Sequence, residues 1–105
     1  MVTNIYYIYI LYSANSDKYY VGYSTDPHRR VVEHNQKPFN TYTSKHRPWE
    51  LIVSFNCGNE EKTAIKLERL LKEQKSRKLI QKLCDPTFTP GGFLAQLVRV
   101  PDIRD

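Results

Sequence analysis

Residues 5–23, IYYIYILYSANSDKYYVGY, decide the fold, because two runs of apolar and aromatic residues flank a polar turn. Residues 5–12 are almost all β-branched or aromatic, which is typical of a central strand covered on both faces. Residues 13–17, SANSD, have the composition of a turn, and residues 18–23 resume strand character. The segment therefore predicts a β-hairpin.

The register of this hairpin decides whether two tyrosines meet, because successive side chains along a strand point to opposite faces of the sheet. If Leu11 pairs with Lys18, Tyr9 lies opposite Tyr20 on the same face. A slip of one residue would put the two rings on opposite faces. The first register is the one that brings both tyrosines to one place.

The segment after the hairpin predicts a helix. Asp26 can cap this helix and Pro27 suits its first position, and the helix should end near Asn35. Arg30 and His34 are four residues apart, so they share one face of the helix. The two side chains are therefore expected to point towards the same neighbouring part of the protein or the same ligand.

The rest of the chain predicts one more strand and a helical region. Residues 36–48 form a polar loop, and residues 49–55, WELIVSF, predict a third strand. Residues 59–83 predict two helices that meet near residues 75–76. Together these elements predict a mixed α/β (α+β) fold, with a small central antiparallel three-stranded sheet flanked by helices.

We expect this domain to occupy residues 1–83. Residues 84–105 contain the segment DPTFTPGGF, with two prolines and two glycines, and then show no clear period. They predict a partly irregular C-terminal extension outside the main domain.

Length and charge limit the classes of function. A 105-residue chain has room for one domain and a tail. The net charge of +5 and the pI of about 9.3 favour a polyanionic partner, nucleic acid ahead of an anionic membrane. Cys57 and Cys84 have no metal-like spacing and are expected to be reduced thiols. The apolar stretch near the N-terminus is too short to span a membrane, so we expect a soluble cytoplasmic protein.

Several segments, taken in order, resemble one known family. Tyr7-Ile8-Tyr9 and Tyr20-Val21-Gly22, separated by ten residues, resemble the two halves of the GIY-YIG nuclease signature. Three later segments are similar to parts of its single-domain members. DPHRRVVEHN resembles the following helix, TYTSKHRPWEL the loop and third strand, and TAIKLERLLKEQKSRKLI the long helix. That branch is related to the excinuclease C N-terminal domain and to Slx-type structure-specific endonucleases. The resemblance covers residues 5–83.

The resemblance implies a metal-dependent DNA endonuclease that hydrolyses phosphodiester bonds. Structure-specific cleavage and a role in DNA repair or recombination are among the properties that it suggests. It implies one Mg²⁺ or Mn²⁺ ion held by Glu68 and the catalytic residues Tyr9, Tyr20, Arg30, His34 and Glu68. The sequence departs from the family at two points. Tyr7 replaces the glycine of the first tripeptide, and no asparagine follows Asn59, whereas larger members place one after the glutamate helix.

The chemistry of these residue types suits phosphodiester hydrolysis. The planar fork of Arg30 can contact non-bridging phosphate oxygens, and Glu68 can hold one hard divalent ion through oxygen. Tyr9 has an ordinary pKa near 10 and His34 near 6.5, and either could take the proton from the attacking water. The sequence does not decide between them as general base. Tyr20 would orient the water or the phosphate.

Simpler interpretations exist for single residues. Glu68 lies beside the apolar stripe of its helix and could simply pair with Lys72 one turn later. Arg30 could form an ordinary surface ion pair with Glu33. The basic run from Lys72 to Lys82 is most simply the solvated face of a helix.

Further residues are candidates for contacts with the DNA backbone, which would supply affinity without sequence specificity. They are Tyr7, Lys37, Tyr42, Lys45, His46 and Arg47. The pattern does not separate DNA from RNA. The alternatives are a non-catalytic nucleic-acid-binding module on the same fold, or an adapter that acts with a protein partner; such a partner could also choose the substrate of an active enzyme.

Overall fold

The computed structural model describes residues 4–36 and 42–101. The predicted hairpin is present as β1 (Tyr7–Ser13) and β2 (Lys18–Ser24). The chain turns through residues 14–17, where Asp17 adopts a left-handed conformation with φ of 53°. The Ser13 hydroxyl accepts a hydrogen bond from the Ser16 backbone, which supports the turn.

The register of the hairpin differs from the expected one by two residues. Ser13 pairs with Lys18, Leu11 pairs with Tyr20, and Tyr9 lies opposite Gly22. Leu11 and Lys18 therefore do not pair: four residues lie between the paired Ser13 and Lys18, whereas a pairing of Leu11 with Lys18 would leave six between them. A shift of two residues preserves the face of every side chain. Tyr9 and Tyr20 accordingly remain on one face as diagonal neighbours, with ring centroids 6.5 Å apart.

The helices form largely where the sequence predicted them. Helix α1 spans Pro27–Gln36, and the Asp26 carboxylate caps it by accepting from the Arg29 backbone N–H at 3.2 Å. A short helix α2 (Tyr42–Lys45) follows within residues 36–48, which were predicted to be a loop throughout, and strand β3 (Glu50–Asn56) comes next. No helix in the ranges 4–36 and 42–101 is long and apolar enough to cross a membrane.

The predicted helical region divides into α3 (Glu61–Gln74) and α4 (Arg77–Cys84). Lys75 ends α3 in the left-handed conformation, and Ser76 caps α4 by accepting from the Leu79 backbone N–H at 3.1 Å. This change of direction lets both helices cover one face of the sheet.

The sheet separates two apolar clusters. The larger cluster packs α3 and α4 against one face, with Ile8, Ile10, Phe55 and Leu67 at its centre. The smaller cluster lies on the opposite face and contains Tyr9, Leu11 and Trp49, with Tyr20, Val31 and Leu51 packed against it. Alternation along β1 explains this division, because Ile8 and Ile10 point one way while Tyr9 and Leu11 point the other.

The sheet has four strands, so the prediction of three was wrong. Strand β4 (Val98–Arg99) pairs antiparallel with β3, and the strand order is β2-β1-β3-β4. It lies in the segment expected to be an irregular extension. Leu97 beside it is 5% exposed and belongs to the larger cluster. The boundary at residue 83 remains a prediction, but the described part of the segment beyond it completes the sheet.

Candidate active site

A cleft of about 540 Å³ opens beside β2, the edge strand that both α1 and α3 contact. Four of the five residues predicted to be catalytic line this cleft: Tyr9, Tyr20, Arg30 and Glu68. They come from four different elements, β1, β2, α1 and α3. The fold thus gathers residues that are far apart in the sequence.

The fifth residue, His34, lies behind Tyr9. Its Nε2 is 3.0 Å from the Tyr9 hydroxyl, and His34 is only 7% exposed. The Tyr20 ring packs edge-on against His34, with centroids 5.0 Å apart. Tyr9 therefore stands between His34 and the cleft.

Burial changes the proton affinity of both members of this pair. Burial and the neighbouring Tyr20 raise the pKa of Tyr9 to about 12, and the adjacent Arg30 guanidinium opposes that rise. Burial and the positive charge of Arg30 lower the pKa of His34 to about 4. His34 is therefore neutral at pH 7, and its Nε2 can accept the Tyr9 proton if Nδ1 carries the hydrogen.

Gly22 makes room for the Tyr9 ring. A Cβ placed on Gly22 would lie 2.5 Å from the Tyr9 Oη and 2.6 Å from its Cζ. A side chain at this position would have to displace a ring that is 1% exposed. The glycine of the second tripeptide thus has a steric function across the hairpin, which the register makes visible and the sequence alone did not.

Arg30 lies on the wall of the cleft formed by α1. Its guanidinium donates to the Glu33 carboxylate, one turn further along, and its side chain remains 37% exposed. The ion pair between Arg30 and Glu33 that the simpler interpretation predicted is therefore present. It holds the guanidinium beside Tyr9 while leaving part of the fork open to the cleft.

Glu68 extends from α3 into the same cleft, with its side chain 23% exposed. Its Oε1 lies 3.7 Å from the Lys72 ammonium, so the expected i,i+4 pair is also present. Within residues 4–36 and 42–101, no three or more Asp, Glu, His or Cys side chains are grouped to enclose a metal ion. Two further carboxylates line the cleft, Glu33 and Glu61, and they accept hydrogen bonds from Arg30 and Tyr23 respectively. Glu68 as a single carboxylate ligand suits Mg²⁺, which keeps several waters and shares its remaining ligands with substrate phosphates.

A network that the sequence analysis did not identify fixes His34. The Asn35 side chain accepts from the Trp49 backbone N–H at 2.6 Å and donates to its carbonyl at 2.9 Å. The Arg47 Nε donates to the His34 carbonyl oxygen at 2.6 Å, and Trp49 donates to the Thr43 carbonyl at 2.7 Å. These contacts attach the end of α1 to the start of β3. No local sequence signal could have identified them, since they depend on tertiary pairing.

The residues predicted to contact DNA are scattered. Tyr7 is half-buried on β1 and does not line the cleft, which Tyr6 lines instead. The His46 Nδ1 lies 2.9 Å from the Ser16 hydroxyl, and Lys45 is exposed at the end of α2. Lys37 and the side chain of Tyr42 lie outside the described part of the structure. The DNA contacts of this set remain predictions.

Comparison with known proteins agrees with the predicted family. The sequence profile described as the GIY-YIG catalytic domain matches residues 5–82. A UPF0213 protein of Streptococcus pneumoniae is 36% identical over 69 residues, 66% of this chain and 68% of that protein. The UPF0213 protein YazA of Bacillus subtilis is 33% identical over 82 residues, 78% of this chain and 76% of that protein.

A longer relative carries a functional name. The structure-specific endonuclease subunit SLX1 homolog 1 of Trypanosoma cruzi is 34% identical over 74 residues. The match covers 65% of this chain but only 14% of that relative's length. The profile match extends over most of the chain and includes β1, β2, α1 and α3, which supply the cleft residues. The chain therefore belongs to the GIY-YIG family, as its two tyrosine-containing tripeptides predicted.

Proposed function

We propose that this protein is a metal-dependent DNA endonuclease. The observation that carries the proposal is the convergence of Tyr9, Tyr20, Arg30 and Glu68 on one cleft. Hydrolysis of a phosphodiester needs an activated water, neutralisation of phosphoryl charge and help for the leaving oxygen. The cleft supplies a candidate group for each of the first two needs, and a bound Mg²⁺ or Mn²⁺ would supply Lewis acidity at the phosphate.

Tyr9 is the residue we propose to take the proton from water, with His34 behind it. As the Tyr9 oxygen accepts a proton from the water, its own proton passes to the His34 Nε2 at 3.0 Å. His34 cannot act on the water through the same nitrogen while Tyr9 occupies it. This arrangement favours Tyr9 over His34 as the group facing the water, the choice that the sequence left open.

Substrate binding would strengthen this relay. The positive charge of Arg30 is one reason that the pKa of His34 is low. A phosphate bound to the Arg30 guanidinium would offset that charge and so raise the pKa of His34. His34 would then accept the proton more readily when a substrate is present than when the cleft is empty.

Glu68 is the residue we propose to hold the metal ion. In Glu68→Gln, we expect metal-dependent cleavage of linear, flap and branched DNA to fall by at least about 100-fold, because the neutral amide is a weaker ligand. Mn²⁺ binding measured by calorimetry should weaken in parallel. Glu73→Gln is the matched control, since Glu73 is exposed on the same helix and does not line the cleft.

Each outcome of this experiment separates two functions. Cleavage by Glu68→Gln at the wild-type rate would remove Glu68 from the site. If the wild-type protein binds DNA but does not cleave it with any metal tested, the non-catalytic binding module is favoured. The name of the SLX1 relative motivates the branched substrates, and the word subunit in that name motivates a partner that selects among them.

A further inference from the structure

A second groove, of about 320 Å³, continues from the cleft along the seam between β2 and the C-terminal half of α3. Tyr20 lines both cavities. Lys72 also joins them, because its side chain lines the groove while its ammonium lies 3.7 Å from Glu68. The groove is therefore an extension of the proposed active site.

The groove is strongly basic. Its lining contains the cations Lys18, Lys72, Lys75 and Arg77, against the single carboxylate Asp17. Asp17 is paired with Arg77 at 2.6 Å. Lys18 and Lys75 are exposed, and neither forms an ion pair with any residue in the ranges 4–36 and 42–101.

Two tyrosine rings hold cations in this groove. The Lys72 ammonium lies 5.1 Å from the centroid of the Tyr20 ring, and the Arg77 guanidinium lies 5.1 Å from that of Tyr19. The Tyr19 ring also packs against Tyr12, with centroids 4.8 Å apart. Because these rings already contact protein groups, the groove presents positive charge to a ligand and offers little open surface for base stacking.

We infer that this groove binds the sugar-phosphate backbone of the cleaved DNA strand, on one side of the scissile phosphate. The inference rests on the proposed function and adds a path for the substrate. Lys18 is four positions from Gly22 along β2, about 13 Å, and Lys75, which caps α3, is seven positions from Glu68, about 10 Å. Measured along the axis of a duplex, at about 3.4 Å per nucleotide of one strand, these cations lie about three or four nucleotides from the cleavage site.

The basic run from Lys72 to Lys82 thereby divides into two parts. Lys72, Lys75 and Arg77 line the groove, whereas Lys78 and Lys82 are exposed on α4 and do not line it. The interpretation of the whole run as a solvated helix face therefore applies to its second part only. This division provides a control position outside the groove, Lys78 on α4.

Binding of a labelled DNA duplex to the full chain, measured by fluorescence anisotropy in EDTA over a range of salt concentrations, tests the inference. Lys18→Ala combined with Lys75→Ala should weaken binding about tenfold and reduce the salt slope by about 0.9 for each lost phosphate contact. Lys66→Ala combined with Lys78→Ala removes the same charge from exposed positions outside the groove and should change binding less than about twofold. Thermal unfolding confirms that both variants fold.

Equal losses in the two double variants would show that only net charge matters and would overturn the inference. The proposed function would survive that result, since it depends on metal-dependent cleavage by the wild type and its loss in Glu68→Gln. A wild type that neither binds nor cuts DNA would overturn both.

Cleavage of shortened substrates tests the position of the groove. In Lys18→Ala combined with Lys75→Ala, KM should rise while kcat stays within about twofold, because Tyr9 and Glu68 are unchanged. This defect should disappear once the strand is trimmed to fewer than about three nucleotides beyond the cleavage site on one side only. A defect that persists after trimming on either side would overturn the inference.

Discussion

Tyr9 is only 1% exposed, and its phenol oxygen lies between the backbone of Gly22 and the ring of His34. Its position is therefore set by packing before any substrate arrives. A phenol held in this way loses little freedom when it meets a water, which favours proton transfer. The same confinement makes the residue sensitive to changes in its neighbours.

Gly22→Ala should impair both stability and cleavage. The added Cβ would overlap the Tyr9 ring, whose displacement would break the hydrogen bond to His34. We expect the free energy of unfolding to fall by about 1–3 kcal/mol, measured by urea denaturation, and cleavage to fall by at least about tenfold.

Gly91→Ala is the control for Gly22→Ala, because a Cβ at Gly91 meets nothing within 4 Å and its φ of −111° suits any residue. Its stability and cleavage should match the wild type. Normal cleavage by Gly22→Ala would mean that Tyr9 can move without harm to the reaction.

His34 should make the folded state sensitive to mild acid. The unfolded chain takes up a proton on His34 below a pKa of about 6.5, whereas the folded chain does so only near 4, because burial and then Arg30 disfavour the cation. Stability contributed by neutral His34 is thus present above pH 6.5 and is lost as the pH falls towards 4. Arg47 adds to the effect of Arg30, and Glu33 opposes it.

Comparison of wild type with His34→Gln isolates this contribution, since other acidic groups titrate in both proteins. Between pH 6.5 and 4, the wild type should lose about 2 kcal/mol more unfolding free energy than the variant. Urea denaturation at several pH values measures the difference. Parallel curves for the two proteins would show that His34 is protonated alike in the folded and unfolded states.

At the scale of elements, the sequence predicted most strands and helices but not their pairing. Runs of apolar and aromatic residues located β1, β2 and β3, and the Asp26-Pro27 start located α1. The hairpin register differs by two residues from the pairing of Leu11 with Lys18, since the composition of residues 13–17 does not specify how many of them leave the ladder. Strand β4 escaped prediction because two residues carry no period, and it forms only by pairing with β3.

Substitution of Leu97 tests how much β4 and the residues beside it contribute to the free energy of unfolding. Leu97 is 5% exposed within the larger apolar cluster, so Leu97→Ala should lower the free energy of unfolding by about 2–5 kcal/mol. Val98→Ala is the control, since Val98 is 62% exposed and should cost less than about 0.5 kcal/mol. Urea denaturation measures both. Equal stability of the two variants would show that the segment after residue 84 is only loosely attached.

At the scale of the whole molecule, the sequence named the chemical groups but could not give their separations. Tyr9 and His34 are 25 residues apart, and only the packing of α1 on the sheet brings them within hydrogen-bond distance. The resemblance identified Glu68. Only the three-dimensional structure shows that Lys72, 3.7 Å from Glu68, also lines the second groove. Pairwise distances of this kind depend on the tertiary structure, which no local pattern records.

The place of the cleft at the outer strand of the sheet limits what shape of polymer can reach it. In the described part of the structure, β2 has a neighbouring strand on one side only, so no further strand closes the cleft on the other. A long molecule can therefore approach sideways and does not have to be threaded in from an end. The proposed enzyme could therefore reach a covalently closed circular DNA as readily as a linear fragment. It would not need a free DNA end to bind its substrate.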